Sequence, residues 1–548
     1  MDLNCGWAFA KGRAWRKWFA SPSGNCDEVV DLPHCWNAKD SFLEDVTYYR
    51  GYGSYRKHFS LPARTSGDED SVWTLESGGF YGTGDVWLNG SKIAEVDGQY
   101  LGFSLDVGND LLWNSENIIG IRLTNKCSSY VLPGIDDPDF LLYGGLAGGI
   151  WLQKKPRVHL DSSCASVRTQ QIRHNEFDVT IGCTAVNQFS ASRSCSLKCS
   201  VRNKNGSVVA EASADPNAAT GEFAVSMRVF DVDLWSPASP TLYRAECTLL
   251  EGGNVIDSIE IPFGFRSAVF EPGRGFFLNG ERIELRGVNR HECMPGFGNA
   301  LPLQQHRKDA LLIKQMGCNF VRLSHYPQHP AFLDACDELG ILVYAEIATW
   351  KSVCTGRWLK SACRQMRDMI RRDRNHPSII LWGMGNESRS QKAYTALREI
   401  AEQEDGTRAV TYAENHLYRA KREKTLGIPD VWGCNYEFDA MEEGRDASRL
   451  KCVIVTECSN YPPAVRGNLE EEANQVELIE QDLAKIAGKP YVAGFAIWCF
   501  SDYATMRKKR YMRHCGLFDA MRRPKMAAAF MQAKYGAEHS FSQKDDER

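Results

Sequence analysis

Past residue 266 the chain settles into a rhythm that few folds accommodate: a short apolar run, a turn, a helical segment, then another apolar run. The runs fall at Ile283–Val288, Asn319–Leu323, Leu342–Glu346, Ile379–Trp382, Ala409–Tyr412, Val431–Asn435, Val453–Thr456 and Gly494–Trp498. Helical periodicity follows six of them, at Gln304–Met316, Pro330–Leu339, Leu359–Arg372, Gln391–Glu402, Leu469–Ile486 and Lys525–Lys534. Strands that each feed a helix pair in parallel, and eight such units in about 270 residues predict a (β/α)8 TIM barrel over 267–548. The third and sixth units are the least regular.

The first half reads differently. Over 1–156, short alternating runs are separated by Gly, Asn, Asp and Pro, as in Gly84-Asp-Val-Trp-Leu-Asn-Gly-Ser-Lys-Ile-Ala-Glu-Val96 with its Asn89-Gly90 turn. This predicts an all-β sandwich. Residues 157–266 repeat the pattern in Phe177–Cys183 and Leu242–Leu249, at a length that suits an immunoglobulin-like sandwich. The fold class expected is therefore multidomain, β followed by α/β. Lys+Arg at 65 against Asp+Glu at 69 leave a net charge of −4, so the overall field favours neither nucleic acid nor an anionic membrane. The N-terminal Met1-Asp-Leu-Asn-Cys-Gly-Trp7 lacks the basic flank and apolar run of a secretory signal, and a cytoplasmic location is expected. Nineteen cysteines, scattered and odd in number, read as free thiols rather than a disulfide framework. Cys195-x-x-x-Cys199 lies in a strand pattern, with no Cys-x-x-Cys or His-Glu-x-x-His spacing, so a structural zinc is not expected.

In a barrel of this kind the reacting groups lie at the C-terminal ends of strands. Two apolar runs stop abruptly in a carboxylate there, Glu387 after Ile379–Asn386 and Glu457 after Val453–Thr456. A charge at the edge of a core costs desolvation unless something holds it. Each Glu alone could cap a helix or pair with an Arg. Two together, on strands four and seven, match the need of a retaining glycosidase for one acid/base and one nucleophilic carboxyl about 5–5.5 Å apart.

Leu285-Arg-Gly-Val-Asn-Arg-His-Glu292, Val321-Arg-Leu-Ser-His-Tyr-Pro327 and Trp382-Gly-Met-Gly-Asn-Glu-Ser388 resemble glycoside hydrolase family 2, the β-galactosidase and β-glucuronidase group. So do Asp31-Leu-Pro-His-Cys-Trp-Asn37 and Gly84–Gly90 in the first region, and Leu234-Trp-Ser-Pro237 and Gly264-Phe-Arg266 in the second. The resemblance covers essentially the whole chain and implies a sugar-binding jelly roll, an immunoglobulin-like sandwich and a catalytic barrel. It also implies Glu387 as acid/base, Glu457 as nucleophile, and Asn386 at the sugar 2-hydroxyl. His291, Arg322 and His325 would line the site, with an Arg keeping Glu457 ionised. Trp498 would be the aromatic platform beneath the sugar, and Asp139 a sugar-hydroxyl acceptor beside Asp136 and Asp137. Tyr436 stands close to the place the family gives a Tyr near the nucleophile.

Three departures qualify this. Cys458-Ser-Asn-Tyr-Pro-Pro463 replaces the run that usually follows the nucleophile, and nothing around Glu346–Trp350 matches the magnesium ligands of large β-galactosidases. No metal or cofactor is therefore expected. The Asn-x-Lys-Gly clamp with which β-glucuronidases hold the sugar carboxylate becomes Arg513-x-Cys515-Gly516, inside the basic loop Arg507-Lys-Lys-Arg-Tyr-Met-Arg513-His514. Arg513 could pair with a uronate in its place, with Arg510 and His514 as nearest substitutes. The expected activity is a retaining exo-β-glycosidase on β-hexuronides, galacturonide favoured over glucuronide. A β-galactosidase acting on neutral sugars is the alternative, followed by a non-catalytic carbohydrate-binding protein. The expected partner is a β-glycoside substrate, the expected assembly a homo-oligomer.

Overall fold

The structure, a computed structural model, describes all residues except 13, 15–17, 20–25, 45, 99, 136, 187–194, 218–219, 353–355, 508–510 and 537–548. Asp136, Lys508, Lys509 and Arg510 therefore lie outside the described residues.

In the first region a six-stranded antiparallel sheet runs in the order Glu28–Val30, Trp7–Lys11, Tyr52–Leu61, Ser115–Thr124, Thr83–Leu88, Ser91–Asp97. It shares one core with the three-stranded sheet Ile150–Pro156, Ser71–Ser77, Phe103–Asp106, through Phe9, Tyr55, Leu75, Ile121 and Leu152 among others. Asn89 and Gly90, at φ 52° and 79°, join Thr83–Leu88 to Ser91–Asp97 in the hairpin geometry that Asn-Gly favours. The second region packs Ser166–Arg173, Glu176–Val186 and Glu222–Val229 against the four-stranded sheet Val208–Ala214, Cys195–Arg202, Tyr243–Glu251, Asn254–Phe263. Cys195 and Cys199 point into its core. The cysteines among the described residues are free thiols.

Eight parallel strands then close into a barrel: β1 (Leu285–Asn289), β2 (Phe320–Leu323), β3 (Leu342–Glu346), β4 (Ile379–Asn386), β5 (Ala409–Glu414), β6 (Val431–Asn435), β7 (Cys452–Cys458) and β8 (Val492–Ile497), with β8 beside β1. Two expectations need correction. The first strand opens at Leu285 rather than Ile283, after the short strand Glu281–Arg282, which pairs with Gly275–Leu278. The third unit is regular, with a 17-residue helix at Arg357–Asp373, whereas units five and six carry only Leu417–Arg422 and Met441–Ala447. No helix among the described residues is long and apolar enough to cross a membrane.

The β-regions hold opposite parts of the barrel. Tyr81, Leu101, Val131, Leu132, Phe140 and Leu142 of the first join the barrel's own hydrophobic cluster, and Tyr100 stacks on Tyr326 at 4.6 Å. The second docks beneath, where Trp235 Nε1 donates to the Asp337 carbonyl (2.9 Å) and Arg266 donates to the carbonyls of Pro377 and Ile379 at the start of β4. Burial brings the Arg266 guanidinium down to about 9.

Candidate active site

The site begins with two missing side chains. A Cβ on Gly383 would lie 2.3 Å from Tyr344 Cε2 and 2.4 Å from Glu346 Cβ. One on Gly385, at φ 137°, would lie 1.3 Å from Thr349 Oγ1. Glycine at both positions lets β4 run flush against β3 and its extension, where the Asn386 amide donates to the Thr349 carbonyl (2.9 Å) and the Lys351 amide to the Asn386 carbonyl (3.0 Å). The chain then turns through left-handed Glu387 (φ 51°), whose amide donates to the Ala413 carbonyl at 2.8 Å. Non-glycine residues in that region store strain, and this one swings the carboxyl over the barrel mouth. Glu457 arrives more simply. β7 extends through Cys458, so Glu457 is inside the strand rather than after it.

Asn435, at the end of β6, ties the two together. Its Nδ2 lies 3.1 Å from Glu387 Oε1, 3.0 Å from Glu457 Oε1 and 3.0 Å from Asn386 Oδ1. Thr456 Oγ1 donates to Asn435 Oδ1 at 2.7 Å, which fixes which end of the amide faces the carboxylates. A shared donor bounds the Oε1···Oε1 separation at about 6.1 Å, the two hydrogen bonds laid end to end.

Both carboxylate oxygens of Glu457 are engaged. Arg322 Nη1 donates to its Oε1 (2.8 Å), and the same guanidinium grips Glu346 through Nε and Nη2 at 3.0–3.1 Å and reaches Asn386 Oδ1 at 3.0 Å. His325 Nδ1 pairs with Glu346 Oε1 at 2.8 Å, leaving its Nε2 3.9 Å from Glu457. Tyr436 donates its hydroxyl to Glu457 Oε2 at 2.7 Å. Burial is the largest influence on Glu457 and pushes its carboxyl up; Arg322 and His325 offset only part of this and Glu387 adds to it. The expected Arg is present, but the net direction is a raised carboxyl. Glu346 goes the other way: burial opposes ionisation, yet Arg322 and His325 outweigh it and hold the carboxyl below its ordinary value.

His291, Trp498, Tyr503 and Phe140 form the apolar wall. The His291 ring lies 4.3 Å from Tyr503, 5.3 Å from Trp498 and 5.9 Å from Phe140, which comes from the first region. Burial first, then the cationic neighbours, drive His291 well below its ordinary range, so it is neutral. Trp498 stacks on His325 at 5.1 Å.

Asp139 and Arg513 meet each other. Arg513 Nη1 donates to Asp139 Oδ2 (3.3 Å) and Nη2 to Asn460 Oδ1 (3.0 Å), while Thr505 Oγ1 donates to Asp139 Oδ1 at 3.1 Å. Asn460 Nδ2 is 3.4 Å from the Tyr436 hydroxyl, so a chain of polar contacts runs from Asp139 through Arg513, Asn460 and Tyr436 to Glu457. The Arg507 guanidinium stands 4.0 Å from Asp139. His514 is turned to Asp502, at 3.2 Å.

All ten residues singled out in the sequence thus border one mouth. Asn435, Glu346 and Lys351 were missed. Asn435 and Glu346 end apolar runs just as Glu387 does, a signal that could have found both; Lys351, whose Nζ lies 2.8 Å from Glu387 Oε2, carries none. Among the described residues no group of three or more His, Cys, Asp and Glu is arranged to hold a metal ion.

Comparisons agree with this architecture. The sequence model of glycosyl hydrolases family 2, TIM barrel domain, matches residues 272–539, and that of glycosyl hydrolases family 2 matches 159–266. The chain is 31% identical to a β-galactosidase of Thermoanaerobacterium thermosulfurigenes over 91% of its own length and 71% of that protein's. It is 29% identical to a β-glucuronidase of Bacteroides fragilis over 70% of its length and 58% of the relative's. The crystal structure of a Bacteroides uniformis β-glucuronidase superposes with a TM-score of 0.87 at 26% identity, covering 98% of this chain and 69% of that one.

Proposed function

This chain belongs to glycosyl hydrolase family 2, and we propose that it is a retaining exo-β-glycosidase acting on β-hexuronides, galacturonide ahead of glucuronide. The observation that carries retention is the single Asn435 amide within hydrogen-bonding distance of both carboxylates. Its bound of about 6.1 Å on the two facing oxygens fits the 5–5.5 Å carboxyl spacing of a retaining enzyme better than the 6.5–9.5 Å that an inverting enzyme needs to seat a water. Glu457 attacks the anomeric carbon while Glu387 gives its proton to the leaving oxygen; Glu387 then takes a proton from the water that hydrolyses the glycosyl ester. Asn386, oriented by Arg322, meets the 2-hydroxyl, where hydrogen bonds strengthen as the ring becomes oxocarbenium-like. Trp498 and His291 wall the sugar. Residues 1–156, 157–266 and 267–548 are read as its three domains, and the free thiols fit a reducing, cytoplasmic setting.

The uronide reading rests on two guanidiniums, Arg507 and Arg513, facing the one carboxylate Asp139. Arg513 is the one read as meeting a C6 carboxylate, in the bidentate pairing open to a guanidinium. The neutral-sugar reading, a β-galactosidase, has its own support: Asp139 already pairs with Arg513 at 3.3 Å and cancels its charge.

A panel of p-nitrophenyl β-galacturonide, β-glucuronide and β-galactoside separates the two. Uronides should be preferred by roughly 10-fold or more in kcat/KM. Equal or better turnover of the galactoside replaces the uronide reading with the neutral one. Glu457→Ala should lose at least about 1,000-fold and be partly rescued by azide as the inverted glycosyl azide. A first product of α configuration would remove retention.

A further inference from the structure

Most charged groups of the site are enclosed and answered: Arg322 and Glu346 have no exposed side-chain surface, and Asp139 and Arg513 are each 13% exposed. Two cations break the pattern. Lys351 and Arg507 remain 30% and 31% exposed at the mouth. They come from unrelated segments, after β3 and after β8, yet each charge rests 4.9 Å from the centroid of the same Trp350 ring. Trp350 is itself nearly buried, with Phe140 edge-on at 6.3 Å, so it is a fixed platform under both cations. Each faces a carboxylate that has another partner or another duty in the site. Lys351 is paired with Glu387, and Arg507 stands 4.0 Å from an Asp139 that Arg513 already holds more closely.

Glu387 places this pair relative to the bond that breaks. Its Oε1 faces Asn435 and the nucleophile, and its Oε2 is turned away from them onto Lys351 Nζ at 2.8 Å. An acid/base carboxyl stands at the glycosidic oxygen, so what lies beyond its outer oxygen faces the leaving group. Lys351 and Oε2 meet as an ion pair rather than in a hydrogen bond, so the ammonium keeps its donors for another acceptor. An anion arriving on the leaving-group side supplies that acceptor.

We propose that Lys351, Arg507 and the Trp350 ring form a leaving-group subsite that binds a carboxylate carried by an acidic leaving group. The idea rests on the glycosidase reading above for its orientation. It extends it by naming what stands on the far side of the cleaved bond: an acidic sugar or an aromatic acid. Lys351 acts there both as a binding group and as a positioning residue for Glu387.

The test uses one sugar, whichever of the panel is best hydrolysed, with two leaving groups, 4-nitrophenol and 5-hydroxy-2-nitrobenzoate. The ratio of kcat/KM, carboxylated over neutral, is measured for the wild type, Lys351→Met and Arg507→Ala. Taking the ratio cancels any loss that the variants inflict on both substrates. It should fall about 5- to 20-fold in each variant, the range left to a charge-assisted contact that is partly open to water. Equilibrium binding of free 5-hydroxy-2-nitrobenzoate should weaken by a similar factor, with that of 4-nitrophenol unchanged. A ratio and a dissociation constant that neither substitution moves would overturn the proposal. Absence of turnover on every glycoside would count against the glycosidase reading instead, and the dissociation constants would still decide the subsite.

Discussion

The two β-regions ahead of the barrel each bury a polar seam against it, and the seams are built for different ends. The first meets the barrel where the strands finish. It contributes Asp139 to the chain of contacts that ends on Glu457, and Phe140 to the wall around His291. The second meets the barrel where β4 begins. Its Arg266 and Trp235 are spent on backbone carbonyls, and none of its side chains named here touches the site. Both are antiparallel sandwiches with cores of their own. Which end of the barrel a domain covers, rather than what kind of domain it is, decides whether it takes part in the chemistry.

Three substitutions can break or sharpen that contrast. The largest effect is expected for Asp139→Ala, which unties Arg513 and through it Asn460 and Tyr436. We expect kcat/KM to fall by about 10- to 100-fold. Unchanged kinetics would reduce the first region to a support like the second.

Next is Glu292→Gln, at the first seam, where the Glu292 amide donates to the Tyr326 hydroxyl (3.1 Å) and Tyr100 stacks on the Tyr326 ring. Burial raises the Glu292 carboxyl from 4.5 to about 7. A carboxyl raised on folding contributes stability that is complete below its unfolded value and is lost as pH climbs through the folded one. From pH 5 to 8 the wild type should therefore lose about 2–3 kcal/mol that the Gln variant keeps. In thermal melts the variant should gain a few °C on the wild type over that window; a constant gap would place the titration elsewhere.

The smallest effect belongs to the second seam. Arg266→Met strands the buried Pro377 carbonyl, while that of Ile379 keeps Arg408 Nε at 2.8 Å, and should cost about 1–2 kcal/mol. Its guanidinium, lowered to about 9, is disfavoured as a cation in the fold, a penalty that is constant below that pH and relieved above it. The Tm shift should thus be the same at pH 5 and pH 8, with kcat/KM within twofold of wild type. A larger kinetic loss would connect the second region to the site after all.

Much of this was legible before any coordinates. Apolar runs that stop in a carboxylate, with helices between them, announce both the barrel and its two glutamates, because a core strand tolerates such an ending only at the mouth. The third unit was misjudged because Ile347-Ala-Thr-Trp350 prolongs the apolar stretch beyond β3 and blurs the alternation. The pairing of Asp139 with Arg513 could not be read. The two are 374 residues apart, and each looked like a substrate contact in its own right. Lys351 was equally silent, since a lone lysine after a strand is ordinarily a solvated one.

The two glycines of β4 have a consequence for telling a working glycosidase from a retired one. A chain could keep both glutamates and still be inert. With even a methyl group at position 385, Thr349 would have to leave, and with one at 383 Tyr344 and Glu346 would be driven apart. The acid would then be present in name and absent in place.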